Sequence, residues 1–168
     1  MGLNSLKDVL QEQLEDLHSA ETQLIAALPK MAQAAQHEEL RGAFQTHFEE
    51  TKGHLKRVKE ALSEVGVGTP TEVCQAMKGL IAEGEEIIQT EGDPNVKDVA
   101  LIAAAQRVEH YEIAAYGTAR QLADDCGFDG VKDLMDQTLD EESNADKLLT
   151  KIATGGMFKS GINQGAMA

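Results

Sequence analysis

The sequence is poor in the residues that sheets, nucleic-acid interfaces and membrane spans require. It has no tryptophan, three prolines and only 4% aromatic residues in a chain of 168, whereas strands are enriched in aromatic and β-branched residues. Lys and Arg number 15 against 29 Asp and Glu, which gives a formal charge of −14, and polyanions such as nucleic acids and anionic membranes repel such a chain. The composition therefore predicts one all-α domain with no nucleic-acid or membrane partner, and it is compatible with attracting cations.

Membrane spans and export signals are also missing from the sequence. No apolar run is long enough for a transmembrane helix, and the first residues, MGLNSLKDVLQEQL, lack the basic and then apolar regions of a signal peptide. We therefore expect a cytoplasmic protein. Cys74 and Cys126 stand alone without a CxxC pattern, so we expect both thiols to be reduced and structural.

Apolar residues recur at helical spacing in four long segments and one shorter segment. The breaks between the later segments fall at GVGTP, EGDPNV and CGFDG, and the predicted helices cover residues 5–36, 38–65, 71–90, 94–125 and 130–154. Four long helices with one apolar stripe each bury those stripes in an antiparallel four-helix bundle, with the short helix in the crossover between helices 2 and 4. We predict that the bundle occupies residues 1–155 and that residues 156–168, which have little to bury, form a flexible tail.

Two glutamates interrupt the apolar face of the fourth predicted helix, within RVEHYEIAAYG. On a wheel of about 100° per residue, Glu109 and Glu112 fall on the same face as Ile102, Ile113 and Tyr116. Desolvating ionised carboxylates is costly, so such groups shift their pKa, find cationic partners or bind a metal.

Each of the other long helices carries a glutamate on its inner face, although the one in the second helix lies nearer the edge of the stripe. These residues are Glu21, Glu50 and Glu142. The separations 21 to 50 and 112 to 142 are 29 and 30 residues, as expected for two similar helical hairpins with glutamates at matching heights. The pattern predicts a layer of five carboxylates in the core: Glu21, Glu50, Glu109, Glu112 and Glu142.

Such a layer cannot consist of five bare anions. Arg57 and Arg120 are the candidates for internal partners, but two divalent cations would come close to balancing four or five carboxylates. Oxygen-rich ligation with some imidazole suits iron or manganese better than zinc. Ferritin-like di-iron bundles use one glutamate from each of two helices and a Glu-x-x-His motif from each of the other two, and this sequence has the four glutamates without that histidine spacing.

Further candidate ligands lie close to these glutamates. His47 and His54 flank Glu50 by three and four residues, and Asp146 occupies the position equivalent to His54 in the second hairpin. Glu141 is expected on a solvated face. Tyr111 and Tyr116 are expected as core aromatics, although a tyrosine beside a redox metal can also donate a hydrogen bond or act as a radical sink.

Five segments resemble the YciE/YciF family of bacterial ferritin-like proteins, over about residues 5–154. They are SAETQLIAALPKMAQAA, AFQTHFEETKGHLKRV, MKGLIAEGEEII, DVALIAAAQRVEHYEIAAYGTARQLA and TLDEESNADKLLTKIA. The resemblance implies a ferritin-like bundle with an additional short helix, a dinuclear metal centre, dimers and an association with stress responses.

We therefore predict that two iron ions, exchangeable with manganese, bind between the five inward glutamates. Dioxygen or hydrogen peroxide would oxidise the ferrous ions in a stress-protection role, within a homodimer. Two alternatives remain open. The first is a manganese catalase-like enzyme with the same ligands, and the second is a non-catalytic helical stress or interaction module whose buried glutamates are protonated or paired with arginine.

Overall fold

The chain forms four long helices and one shorter helix up to residue 154. The computed structural model describes residues 2–156 and 159–167. The helices are α1 (Leu6–Ala34), α2 (Glu38–Val65), α3 (Gln75–Gln89), α4 (Pro94–Cys126) and α5 (Asp129–Thr154). A pair of two-residue antiparallel strands, β1 (Gly155–Gly156) and β2 (Lys159–Ser160), and the short helix α6 (Ile162–Gly165) follow.

The four long helices pack as two antiparallel hairpins. Connections of only a few residues, 35–37 and 127–128, make α1 and α2, and likewise α4 and α5, antiparallel neighbours. The hairpins then meet through α1 against α4 and α2 against α5, while α3 packs on α1 and α4. The predicted antiparallel four-helix bundle, with its short helix in the crossover, is confirmed. Among the described residues, none of the helices has the length and apolar character needed to cross a bilayer.

Side-chain caps fix where several helices begin. Ser5 accepts the backbone N–H of Asp8, and the Asp8 carboxylate accepts the backbone N–H of Ser5, which makes a capping box at the start of α1. Asp93 caps α4 ahead of Pro94. Buried Asp98 of α4 accepts the backbone N–H groups of residues 36 and 37, at 3.0 and 2.7 Å. Asp98 therefore ties the α1–α2 connection to α4.

Helix α3 begins four residues later than the predicted start at residue 71. The backbone N–H of Cys74 donates to Ser19 Oγ on α1, at 2.9 Å, and Cys74 Sγ accepts the N–H of Met77 as the cap of α3. This contact with α1 leaves residues 71–74 outside the helix. Both cysteines are free thiols, and Cys74 is buried.

The segment 156–168, predicted as a flexible tail, includes described residues that contact the bundle. Ile162 is buried among the apolar side chains of the core, and α6 contacts α4 and α5. Met157, Phe158 and Ala168 lie outside the described residues. The domain boundary at residue 155 stays a prediction.

The core of the bundle consists of two apolar clusters separated by polar residues. In α2, for example, Leu40 and Phe44 belong to one cluster and Val58 and Leu62 to the other. The other long helices show the same change of cluster along their length. Buried polar and charged side chains occupy the intervening turns of α2, α4 and α5 and two positions of α1, Ser19 and Glu21. The candidate site lies in this polar layer.

Candidate metal centre

Every long helix contributes ionisable side chains to the layer between the two apolar clusters. These side chains come from α1 (Glu21), α2 (His47 and His54), α4 (Glu109 and Glu112) and α5 (Glu142). Separations of three residues in α4 and seven in α2 place each pair on one face of its helix. None of the six residues is more than 6% exposed to solvent. The layer is therefore shielded from bulk water.

The layer contains two groups of donor atoms, each of which could hold a metal ion. The first group comprises His47, Glu109, Glu112 and Glu142. The second group comprises Glu21, His54 and Glu142. Within each group, one ligand atom from every residue lies within 4.8 Å of the others. Glu142 belongs to both groups, so the two potential sites are adjacent.

The two histidines lie close to the carboxylates. His54 Nδ1 is 2.8 Å from Glu142 Oε1 and 3.5 Å from Glu21 Oε1. His47 Nε2 is 3.5 Å from Glu109 Oε1 and 3.6 Å from Glu142 Oε2. None of these contacts has the geometry of a hydrogen bond, including the 2.8 Å contact. Each imidazole nitrogen therefore lies near the carboxylates of two glutamates.

Buried polar atoms without hydrogen bonds concentrate in this layer. Eight of the ten such side-chain atoms among the described residues belong to it, and both oxygens of Glu112 and of Glu142 are included. Buried polar groups ordinarily have partners. The unpaired atoms here are carboxylate oxygens and imidazole nitrogens, which are the ligand types of iron and manganese sites in proteins. The donor set therefore fits divalent metal ions.

Burial shifts the pKa values of the glutamates in the layer. It raises the pKa of Glu21, and it raises those of Glu109 and Glu112 well above the usual range, with the charge of Glu142 adding to both. Burial also acts to raise the pKa of Glu142, but the close contact with His54 and the positive charges of His47 and His54 hold it below its usual range. Glu142 is thus the carboxylate best stabilised in its ionised form.

In the two histidines, burial and the neighbouring carboxylates shift the pKa in opposite directions. Burial lowers their pKa, but the neighbouring carboxylates outweigh it and raise the pKa of His47 to about 9 and that of His54 to about 10. Without a metal, the layer is therefore neutralised by protons on imidazoles and carboxyl groups. Four ionised carboxylates and two neutral imidazoles would instead balance two divalent cations.

Two of the predicted ligands lie outside both donor groups. The Glu50 side chain is 39% exposed and approaches His47 Nδ1 at 3.4 Å, because it lies at the edge of the inner face of α2. The contact with His47 lowers the pKa of Glu50. Asp146, one turn beyond Glu142, accepts a hydrogen bond from Gln106 and lies 3.4 Å from His110. Glu50 can orient His47, which is how outer residues fix metal-ligating imidazoles.

The arginines proposed as internal partners do not reach the buried carboxylates. Arg57 donates to Thr138 Oγ1 at 2.8 Å and pairs with Glu141, while Arg120 pairs with Asp136 nearer the surface. Glu141, which was expected on a solvated face, lies 2.9 Å from His54 Nε2. The sequence signal for this contact is the position of Glu141 directly before Glu142. Glu141 therefore supports His54 from outside the layer.

Tyr116 adds a neutral donor to the layer. Its hydroxyl donates to Glu21 Oε1, and its ring centroid is 6.3 Å from that of His54. Burial raises the pKa of Tyr116 well above its usual value, with the carboxylates of Glu21 and Glu112 adding to the shift, so the hydroxyl stays protonated. Tyr111 lies outside the layer and is hydrogen-bonded to Asp16 and Cys74. Only the first of these two tyrosines contacts the donor groups.

Comparison with known proteins identifies relatives over nearly the whole chain. Residues 5–166 match the family described as "Domain of unknown function (DUF892)". The chain is 42% identical to protein YciF of Escherichia coli (strain K12) over 165 residues, which span 98% of this chain and 99% of YciF. The crystal structure of YciF, described as a stress protein, matches with a TM-score of 0.86 over 89% of this chain and 94% of YciF. The predicted resemblance to the YciE/YciF family is confirmed.

Two further solved structures share the fold. The protein YcfI from Rhodopseudomonas palustris is 35% identical, with a TM-score of 0.86 over 89% of this chain and 96% of its own. A dodecameric thioferritin, the bacterioferritin-related protein from Bacteroides fragilis, is 16% identical, with a TM-score of 0.67 over 86% of this chain and 84% of its own. At that identity the thioferritin shows the fold alone, and this fold is that of a ferritin-like bundle.

Proposed function

The chain belongs to the family described as "Domain of unknown function (DUF892)", and from that premise we propose that it binds two iron ions in its buried layer and oxidises ferrous iron. Manganese can replace iron in the same donor set. The oxidant is dioxygen or hydrogen peroxide. The observation that carries the proposal is the pair of adjacent donor groups joined by Glu142, whose oxygens make no hydrogen bond to any described residue.

The proposed reaction transfers one electron from each of two ferrous ions to the oxidant. Two ferrous ions, one hydrogen peroxide and two protons give two ferric ions and two waters. With dioxygen, the same two ferrous ions and two protons give two ferric ions and one hydrogen peroxide. A pair of ferrous ions held together supplies both electrons at one place, which a single ion cannot do.

The residues of the layer position this chemistry. Glu142 belongs to both donor groups and is the carboxylate most favoured in its ionised form. His47 and His54 supply nitrogen donors, and their outer nitrogens are oriented by Glu50 and Glu141. Tyr116 holds Glu21 in place by a hydrogen bond. Burial of the layer excludes bulk water, which strengthens the interaction of its charges with bound cations.

The biological setting of the proposal follows from the relatives. Because YciF of E. coli is described as a stress protein, we propose that iron oxidation here serves protection against oxidative stress. Homodimers, which the family resemblance implies, and a cytoplasmic location complete the proposal.

One observation favours a non-catalytic alternative. The raised pKa values of His47 and His54 support an arrangement in which two protonated imidazoles stabilise the buried carboxylates without a metal. Under this alternative, the polar layer gives the bundle a unique packing arrangement, and the protein acts as a helical stress or interaction module. Such a protein would contain no metal when purified without chelator.

The decisive experiment is anaerobic titration with ferrous iron, followed by addition of dioxygen or hydrogen peroxide. We expect two ferrous ions per chain and formation of ferric iron. Glu142→Gln should abolish tight binding of both ions, whereas Glu49→Gln, at an exposed position of α2, should bind and oxidise iron like the unaltered protein. If the manganese-loaded protein instead evolves oxygen from hydrogen peroxide and does not oxidise iron, the result would support the manganese catalase-like hypothesis.

A further inference from the structure

An apolar cavity beneath α3 leads to one side of the donor layer. It has a volume of about 40 Å³, and α1, α2, α3 and α4 all contribute to its walls. Its walls are mainly aliphatic and aromatic, as illustrated by Leu28, Phe44, Leu80 and Ala105. The buried polar residues that line it are His47 and Glu109. His47 Nε2 and Glu109 Oε2 are among the atoms that make no hydrogen bond to the described residues.

The size and polarity of this cavity select a small apolar guest. A water needs about 10–15 Å³ of such space and two or more polar partners, and among the buried lining residues only His47 and Glu109 offer such partners. The remaining aliphatic and aromatic walls resemble those of apolar cavities, which stay dry and take up gases such as xenon. The cavity exceeds this minimum but is far too small for a fatty acyl chain. Dioxygen is apolar, diatomic and close in size to water, so it matches both the volume and the lining.

A second, more polar pocket reaches the same two residues between α2 and α5. Its volume is about 140 Å³, and its lining includes Glu50, Glu141 and Asn144 as well as His47 and Glu109. Carboxylate and amide oxygens attract cations and can accept hydrogen bonds from hydrogen peroxide. The donor layer is therefore approached by one apolar space and one polar space.

We propose that dioxygen reaches His47 and Glu109 through the apolar cavity, whereas ferrous ions and hydrogen peroxide approach through the polar pocket. Where it concerns iron oxidation, this inference rests on the proposed function, and it names a separate path for one of the two oxidants. Dioxygen takes one electron from each of two ferrous ions and two protons from solvent, and it leaves as hydrogen peroxide. That product is itself polar and can leave through the polar pocket.

Gly84 offers a direct way to fill the cavity. It lines the cavity from α3, and a Cβ added there would lie 3.7 Å from Met31 Sδ, an ordinary contact distance. Gly84→Leu therefore occupies the cavity while improving the helix propensity of α3. Gly79→Leu is the matched control, since Gly79 is an exposed residue of the same helix with no neighbouring atom within 4 Å of its Cβ position. Ala27→Leu, on the α1 wall, is a second obstruction should the first variant fail to fold.

The first measurement detects dioxygen in the metal-free protein and does not depend on catalysis. Dissolved dioxygen under pressure is paramagnetic and speeds the relaxation of nearby methyl protons in NMR spectra. We expect a stronger effect on the methyl groups of Leu28 and Leu80 than on those of Leu10 and Leu14, which are fully buried in the other apolar cluster. The effect should disappear in Gly84→Leu and persist in the control. Equal effects on both pairs of leucines would overturn the proposal.

The second measurement separates the two oxidants. In iron-loaded protein, Gly84→Leu should slow oxidation by dioxygen severalfold and leave oxidation by hydrogen peroxide unchanged, while the control changes neither. Equal slowing of both reactions would contradict a separate path for dioxygen. If neither oxidant oxidises iron but the NMR effect behaves as expected, the proposed function fails and the assignment of the cavity to dioxygen stands.

Discussion

Replacing Glu112 by glutamine should have opposite consequences in the metal-free and metal-bound protein. Glu112 is fully buried, and neither of its oxygens makes a hydrogen bond to a described residue. Burial and the neighbouring carboxylates raise its pKa well above the usual range, so folding without a metal at pH 7 requires this carboxyl group to take up a proton, which costs free energy. Glu112→Gln keeps the shape and removes the charge. The metal-free variant should therefore be at least as stable as the unaltered protein.

The metal-bound variant should lose stability. A metal present at a thousand times its Kd stabilises the fold by about 4.1 kcal/mol. Loss of an outer partner of a ligand weakens metal binding by roughly 10-fold to 100-fold, and loss of a ligand should cost at least the larger factor. That factor corresponds to about 2.7 kcal/mol. For a domain of this size, it lowers the Tm by roughly 5–11 °C.

Calorimetric melting of both variants, with chelator and with excess ferrous iron under anaerobic conditions, tests this reasoning. Glu49→Gln serves as the control for the loss of a carboxylate at an exposed position. A Glu112→Gln protein whose melting temperature falls equally with and without metal would refute the argument. Such a result would mean that Glu112 contributes through packing alone.

Four further outcomes are expected. Metal binding at pH 7 should release protons, because the metal-free protein holds protons on His47 and His54, whose pKa values of about 9 and 10 exceed the ordinary 6.5. Titration calorimetry in buffers of different ionisation enthalpy counts the released protons. The same shifts stabilise the metal-free fold fully below pH 6.5, and this contribution should be lost as the pH rises through 9 and 10. Tyr116→Phe leaves Glu21 Oε1 without its donor and should cost about 1–3 kcal/mol in urea unfolding; an unchanged midpoint would show that the hydrogen bond contributes nothing. Asp98→Ala leaves two backbone N–H groups of the α1–α2 connection unpaired and should cost about 1–2 kcal/mol, with faster amide exchange at that connection; exchange confined to α4 would contradict this role.

The helices and most of the inward glutamates were predictable because both depend on local rules. Apolar spacing and end residues such as Ser5 and Asp93 set the helices, and the confirmed bundle follows from burying their stripes. Glu21 and Glu112 lie at the centre of those stripes, so their inward orientation needs no tertiary information. That these residues bind metal stays a prediction.

The remaining features depend on contacts that helical periodicity does not specify. Glu50 lies at the edge of a stripe, where a flexible side chain can turn either inward or toward solvent, and in the structure it is 39% exposed and contacts His47 of its own helix. The pairing of Arg57 with Glu141 joins residues 84 positions apart. The late start of α3 likewise depends on the contact between Cys74 and Ser19, across 55 positions.

Because Glu142 belongs to both donor groups, the two proposed iron sites would fill one after the other, with different affinities. The first cation to bind would neutralise part of the charge of Glu142, which the second cation also needs as a ligand, so the second cation would bind more weakly. Protein with a single ferrous ion would therefore accumulate when iron is scarce, and that ion can supply only one of the two electrons that the oxidant must receive. Turnover would follow the doubly filled fraction and so rise more steeply than in proportion to the iron supply.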